Sequence, residues 1–283
     1  MTMKNALVTL VICLLFSTSY AQKKEKIKGD RNVTVSEAKI NSFNRLVVGE
    51  NFEIDLIEGN EAEIFIEADD NLHDVIKFNV ADSTLYFSTD KNITTFKKMN
   101  IKVTYTNTLK QIETSENGQV SSLTSIDLDE LTLVHSGSSK AYLNIKAPMF
   151  KLINNDKAKL KLNVTTDNAT FELNDNSKVE ALIEGNNLQV DLLQRANAKI
   201  EGDLSKLEIV ADNNSVFNGR HLSSEEVIVE CDLNSKAYVN SVGQLSLSSK
   251  GNSEVFIYNF PAITITAFEG TSKLHKKELK KKK

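Results

Sequence analysis

The chain has 283 residues, 40% of them hydrophobic and 25% charged, a balance that suits a globular protein and excludes a disordered one. Eleven Gly, two Pro and no Trp exclude collagen-like and Pro-rich architectures, and two Cys exclude a disulfide scaffold or a multi-Cys zinc site. The net charge of −4 conceals an acidic body: Arg31 to Ser272 holds 22 basic and 35 acidic residues, a balance of −13, which argues against nucleic acid as a partner.

The N-terminus carries Lys4, an apolar run from Ala6 to Phe16 and the small-x-small sequence Ser19-Tyr20-Ala21. Those are the three parts of a cleavable export signal, so residues 1–21 are read as a signal peptide and Gln22 as the first mature residue. The run is short for a hydrocarbon layer of about 30 Å, and no other stretch is long and apolar enough to span. Cys13 lies inside the run after Ile12, which does not fit a lipoprotein signal. The expected address is therefore export, to the periplasm, the outer surface or the medium. Cys231 is then the one mature cysteine, and its place in Val227-Ile228-Val229-Glu230-Cys231 predicts a buried hydrophobe.

Residues 22–42 are read as an exposed N-terminal segment, and 43–116 as an N-terminal β section that caps the repeats beyond it. Phe43–Val48, Phe52–Leu56, Ala62–Glu67, Ser83–Phe87 and Met99–Tyr105 alternate apolar and polar residues as strands do. Glu58-Gly59-Asn60 is expected to close a hairpin, and Asn71–Ile76 to form one helical turn.

From residue 117 to 274 one short word keeps returning. Examples are Ser138-Ser139-Lys140-Ala141, Lys157-Ala158-Lys159-Leu160, Asn176-Ser177-Lys178-Val179, Asn197-Ala198-Lys199-Ile200 and Asn234-Ser235-Lys236-Ala237. The copies are about 19 residues apart, with period-two alternation and no helical stripe between them. Short strands at that period predict a parallel β-solenoid, one turn per rung, with rungs about 4.8 Å apart. Leu160, Val179 and Ile200 are expected to share one inward column, and Asn to recur at the corners, where its amide can bond the next rung. Residues 275–283 form a Lys-rich tail, read as a charged end that discourages stacking or as a contact for a membrane or polyanion.

The opening Phe43 to Val48, the turn at Glu58-Gly59, Ile66-Glu67-Ala68-Asp69-Asp70-Asn71-Leu72, Asp82-Ser83-Thr84-Leu85 and Ser136-Gly137-Ser138-Ser139 together resemble a bacterial family. It is that of the auto-transporter adhesin-like proteins with a head GIN domain, and the likeness runs from Phe43 to Ser272. It implies an all-β fold, a right-handed, single-stranded parallel β-helix behind a cleaved signal. Two departures stand out: the words here favour Asn-Ser-Lys over Ser-Gly-Ser-Gly, and the rung near Asn214 is short, with Asn218 at an apolar position.

Little in the chain points to chemistry. His73, His135, His221 and His275 occupy different phases of the repeat and form no metal-ligand pair. No nucleotide or nucleophile motif occurs, so no catalytic, cofactor or metal residues are assigned. Asp156 and Asp175, one rung apart with Asp212 further along, could serve a carbohydrate-active enzyme. An Asp at a turn also satisfies backbone N–H groups, and that reading is preferred. The Lys column 140, 159, 178 and 199 reads as a solvated mixed-charge face, or as a polar ladder for glycans. Tyr142, Phe217, Tyr238 and Phe256 are placed outward on the same face, and Tyr142, Tyr238 and Phe256 are the candidate surface-binding residues. The expectation is a non-enzymatic envelope protein that binds glycans or another surface protein. A carbohydrate-active enzyme and a purely structural envelope component are the alternatives.

Overall fold

The computed structural model describes residues 24–279. The signal-peptide reading of residues 1–21 lies outside them. Among the described residues the fold is a β-solenoid of about nine turns, with one 3-10 turn and no helix long and apolar enough to cross a membrane.

The rung has a simple construction. Lys159–Leu173, Lys178–Leu192 and Asn197–Ala211 are each 15 residues long and pair in parallel, Lys159 with Lys178 and Lys178 with Asn197. Within a rung, inward and outward residues alternate until a sharp bend. Leu160, Leu162, Val164 and Thr166 are buried, Asp167 and Asn168 are both exposed, and burial resumes at Ala169, Phe171 and Leu173. Two consecutive exposed residues reset the alternation, so one strand supplies two faces of the solenoid.

The other corner lies between strands and needs a left-handed residue. Glu50, Glu116, Gly137, Asp156, Asp175, Gln194, Asn213, Leu233, Gly251 and Gly270 all have φ between 51° and 71° there. Two residues after seven of these, from Gly137 to Gly251, sits a buried small residue, Ser139, Ala158, Ser177, Ala196, Ser215, Ser235 and Ser253, because little room remains inside the bend. Of the corner Asn expected to bond the next rung, Asn252 Nδ2 donates to Asn234 Oδ1 at 3.3 Å; other Asn ladders lie in different columns, Asn163 Nδ2 to Asn144 Oδ1 at 2.7 Å and Asn174 Nδ2 to Asn155 Oδ1 at 2.8 Å.

These registers correct the phase of two repeat words. Lys178 pairs with Asn197, so Lys199 stands beside Glu180, and the Lys column runs 140, 159 and 178 only. The inward column is Leu160, Val179, Ala198, Phe217 and Ala237, while Ile200, also buried, belongs beside Ala181. Phe217 is therefore a core residue and not an outward one. Its ring fills the volume left by Ala198 and Ala237 on either side, as close packing demands. Asn218, expected at an apolar position, lies in an outward column opposite Lys199 and Tyr238.

The N-terminal section is more than a cap. Arg45–Val48 and Glu53–Glu58 already pair in parallel with Gln111–Thr114 and Gln119–Ser122, so the solenoid starts before residue 117. The expected hairpin does not form. Met99–Tyr105 lies between Glu53–Glu58, to which it is parallel, and Glu63–Asp69, to which it is antiparallel. Of the segment read as exposed, residues 24–42 are described, and within them Val33–Lys39 adds an antiparallel strand to Glu63–Asp69. The helical turn is a 3-10 turn at Asp70–Leu72. At the other end Lys273–Lys276 is a strand on Glu254–Tyr258, so His275 and Lys276 belong to a rung.

Asp69 holds this end together. Its buried carboxylate accepts from the backbone N–H of Arg31 (3.0 Å), Lys97 (3.0 Å) and Lys98 (3.0 Å). Burial pushes its pKa up, but those bonds together hold it below the usual carboxylate range. Asn71 accepts from Asp30 N–H at 3.0 Å and donates to the Lys28 carbonyl at 2.8 Å. The Asp-Asp-Asn-Leu motif is thus a clamp on the N-terminal strands.

His135 lies inside the solenoid against the Thr114 hydroxyl, and burial pushes its pKa down from 6.5 to about 3. The unfolded chain takes up a proton near pH 6.5 that the folded chain refuses until about pH 3. The stabilisation is therefore complete above 6.5 and lost as pH falls through that window, at about 1.4 kcal/mol per pH unit. Between about pH 7 and pH 4.5 denaturant titrations should lose about 3 kcal/mol from this one residue. His135→Asn, which copies Asn154 of the next rung, should remove that part of the loss. An equal acid sensitivity in the variant would refute the assignment.

Candidate binding face

The outward residues of the first face form straight columns. One runs Ser121, Tyr142, Lys161, Glu180, Lys199, Asn218, Tyr238, Phe256 and His275. The three candidate residues are therefore in one line, but their surroundings differ. Tyr142 stands alone and is 43% exposed. Tyr238, Phe256 and His275 form a stack, with ring centroids 4.4 Å and 4.6 Å apart and planes within 10° of parallel. Phe256, in the middle, keeps only 8% of its surface, and the Lys277 ammonium lies 5.5 Å from its ring centre. The stack is mainly a packing device, because each ring covers the next at the rung spacing. Tyr142 is the aromatic that remains presented.

Around Tyr142 the face is a shallow concavity of about 560 Å³, bounded also by Asn144, Lys161, Asn163, Glu180 and Leu182. Leu182 is half exposed, and Lys199 pairs with Glu201 at 2.8 Å. An aromatic ring, amide ladders and one apolar side chain on a rigid sheet make a surface that can take a ring face and its hydroxyl groups together.

Asp156 and Asp175 are one rung apart, as expected, but Asp212 is not in their column; Asn213 is. Asp156 Oδ2 accepts from Gly137 N–H at 2.8 Å, and Asp175 Oδ2 from Asp156 N–H at 3.3 Å. The carboxylates are bonded along the solenoid axis and stitch the left-handed corners together, which is the structural role preferred from the sequence. Among the described residues no group of three His, Cys, Asp or Glu side chains gathers to hold a metal ion. Cys231 is buried, and burial pushes its thiol up to about 12, which leaves it inert as a nucleophile.

Two further concave features are present, the second on the Lys column that the sequence offers as a polar ladder for glycans. One is a cleft of about 690 Å³ at the N-terminal end between Phe52, Glu53, Ile93, Phe96 and Met99. It is assembled by strands that meet only through the long-range pairings above. The other is a groove of about 730 Å³ beside the Tyr142 concavity, on the Lys140, Lys159 and Lys178 column.

Solved structures with this architecture include a protein of Parabacteroides distasonis described as a "putative lipid binding protein". It is 15% identical, with a TM-score of 0.57, and 89% of this chain and 99% of that one are covered. A "putative adhesin" of the same organism is 18% identical with a TM-score of 0.56 over 90% and 100% of the two chains. Another "putative adhesin", from Parabacteroides merdae, is 17% identical with a TM-score of 0.54 over 90% and 100%. At those identities the likeness establishes the fold. No curated protein sequence matches the chain. Residues 42–182 and 172–261 each match the sequence profile "Putative auto-transporter adhesin, head GIN domain". Those two stretches cover most of the chain and take in the clamp, the corners and the Tyr142 face, so the protein belongs to the head GIN domain family of auto-transporter adhesin-like proteins.

Proposed function

We propose that this protein is an exported, non-enzymatic β-solenoid that works as an adhesin-like surface binder at the cell envelope. Its partner is a glycan or another surface protein, held on the outward face that carries Tyr142. Membership of an adhesin-like family supports the class of function. The observation that carries the reading is the presented ring of Tyr142 over a concave, amide-lined sheet, whereas the aromatic stack five rungs along the same column is closed on itself. A rigid sheet presents such a ring without ordering a loop, so little entropy is lost on contact.

The test is Tyr142→Ser on the mature protein. Retention on whole cells or isolated envelopes should fall roughly tenfold or more, as loss of an aromatic anchor does. The melting temperature should stay within about 2 °C, because an exposed side chain carries little stability. Unchanged retention would remove Tyr142 and leave a purely structural role. Phe256 is unsuitable for this purpose: its ring is packed, so its loss would disturb the fold as well as the face.

A further inference from the structure

We infer that the groove on the Lys140, Lys159 and Lys178 column binds an acidic polysaccharide, a chain of uronate or sulfated sugars lying along the solenoid axis. The inference rests on the surface-binding reading above and names the class of glycan.

The groove is lined by eight residues, of which Lys140, Lys157, Lys159, Lys178 and Arg195 are cationic and none is acidic. That is unusual on a body whose balance is −13. Several lysines elsewhere on the outer surface have carboxylate partners: Lys151 with Glu172 at 2.7 Å, Lys206 with Glu208 at 2.6 Å, Lys236 with Glu254 at 3.0 Å. No ion pair joins any of the five groove cations to a carboxylate among the described residues. Asp156 and Asp175 are turned to the corner N–H groups of the adjacent rungs, and Glu180, two residues beyond Lys178 on the same outward face, lines the Tyr142 concavity rather than the groove.

The arrangement is linear. Lys140, Lys159 and Lys178 are paired in strict register on three successive strands, so their stems are about 4.8 Å apart. The parallel column, Ser138, Lys157, Asn176 and Arg195, places a cation at every second rung and a neutral polar group between. Like charges directly opposite one another on a sheet repel, and only solvent and counter-ions offset that here. A single small anion would relieve one position. A flexible polymer with an anion on successive sugars would relieve all of them and release the condensed counter-ions. Tyr142 lies two residues beyond Lys140 on the same outward face, so its ring flanks the lysine column and can meet from the side a sugar lying over Lys140. The surrounding acidic surface disfavours a long, stiff nucleic acid, which could not confine its phosphates to this groove.

The experiment compares wild type, Tyr142→Ser and the triple variant Lys140→Gln/Lys159→Gln/Lys178→Gln by affinity electrophoresis. Probes are polygalacturonate, dextran sulfate, neutral dextran and a single-stranded oligonucleotide of matched charge. Wild type should be retarded by polygalacturonate or dextran sulfate, and the two separate carboxylate from sulfate preference. The triple variant should lose at least tenfold in that affinity while keeping its melting temperature and its retention by any neutral glycan. Wild-type retardation should weaken as salt rises from about 50 to about 200 mM, as ion-pairing contacts do. Retardation unchanged in the triple variant, no retardation of wild type by either acidic probe, or equal retardation by the oligonucleotide would each overturn the inference. If Tyr142→Ser still lowers envelope retention in those cases, the surface-binding reading stands without the acidic glycan; if it does not, both fall.

Discussion

Val179→Asp should destabilise the protein by about 3–5 kcal/mol, the cost of an unpaired charge in an apolar interior. Val179 is 1% exposed, with Leu160 and Ala198 on the adjacent rungs and Ala181 two residues on. None of these offers a hydrogen bond to a carboxylate, and the backbone groups around it are already paired in the sheet. A rung touches only its neighbours, so the damage opens the solenoid at this point rather than being shared across it. Typical total stability is about 5–15 kcal/mol, so the variant should unfold at a much lower urea concentration or fail to accumulate. Lys178→Asp, one residue away and outward, introduces the same acid without burying it, and should cost less than about 1 kcal/mol. Equal unfolding midpoints for Val179→Asp and wild type would show that the inward face is misassigned.

The rung is legible in the sequence because a solenoid writes its geometry as a period. Each residue has one column, and each column repeats. The phase is harder to read, for a physical reason. Asn197-Ala198-Lys199-Ile200 imitates Asn176-Ser177-Lys178-Val179, yet the paired residues are Lys178 and Asn197. A slip of two residues preserves which side chains point inward, so Ala196, Ala198 and Ile200 are buried under either alignment and alternation cannot choose between them. At Phe217 the slip is one residue, and that reverses inside and outside. The small corner residues Ser139, Ala158, Ser177, Ala196 and Ser215 settle the register, because each is nineteen after the last and each is buried. Size at a tight corner is a stronger signal than the chemistry of an exposed Lys.

The N-terminal end is less legible because its pairing is not local. A turn such as Glu58-Gly59-Asn60 shows that two strands are joined, but not that Met99–Tyr105 is inserted between them. The site obeys the same logic. Tyr142, Tyr238 and Phe256 fall in one column as the period requires, but whether a ring is free depends on what stands one rung away. The basic groove draws its cations from two columns and four rungs. Only correct phasing brings Arg195 beside Lys178 and removes Lys199.

Gly202→Ala should cost about 3–5 kcal/mol, although it adds a single methyl group, because strain and overlap act together. Gly202 has φ of 124°, which L side chains rarely adopt, and a Cβ there would lie 1.9 Å from the Ile183 carbonyl oxygen. That oxygen belongs to the strand paired with Gly202, so it cannot retreat without parting two rungs. The reason for the glycine lies on its other side. The pairing of Asn197–Ala211 with Val216–Cys231 shifts between Lys199 and Glu201, where Lys199 faces Asn218 but Glu201 faces His221. The later rung therefore holds one extra residue at this bend, and Ser215 to Ser235 is one longer than the steps before it. A bulge of that kind twists the local backbone, and the residue opposite must adopt a conformation open to glycine. Gly185→Ala separates the two causes. Its Cβ would meet the Thr166 carbonyl oxygen at 2.2 Å, but its backbone is not in the left-handed region, so it should show the overlap without the strain and cost less. Hydrogen exchange should report the difference as faster opening around Ile183, Gly202 and Leu222 in Gly202→Ala. If that variant melts within about 2 °C of wild type, the bulge does not hold Gly202 in this conformation, and the account of the long rung fails with it.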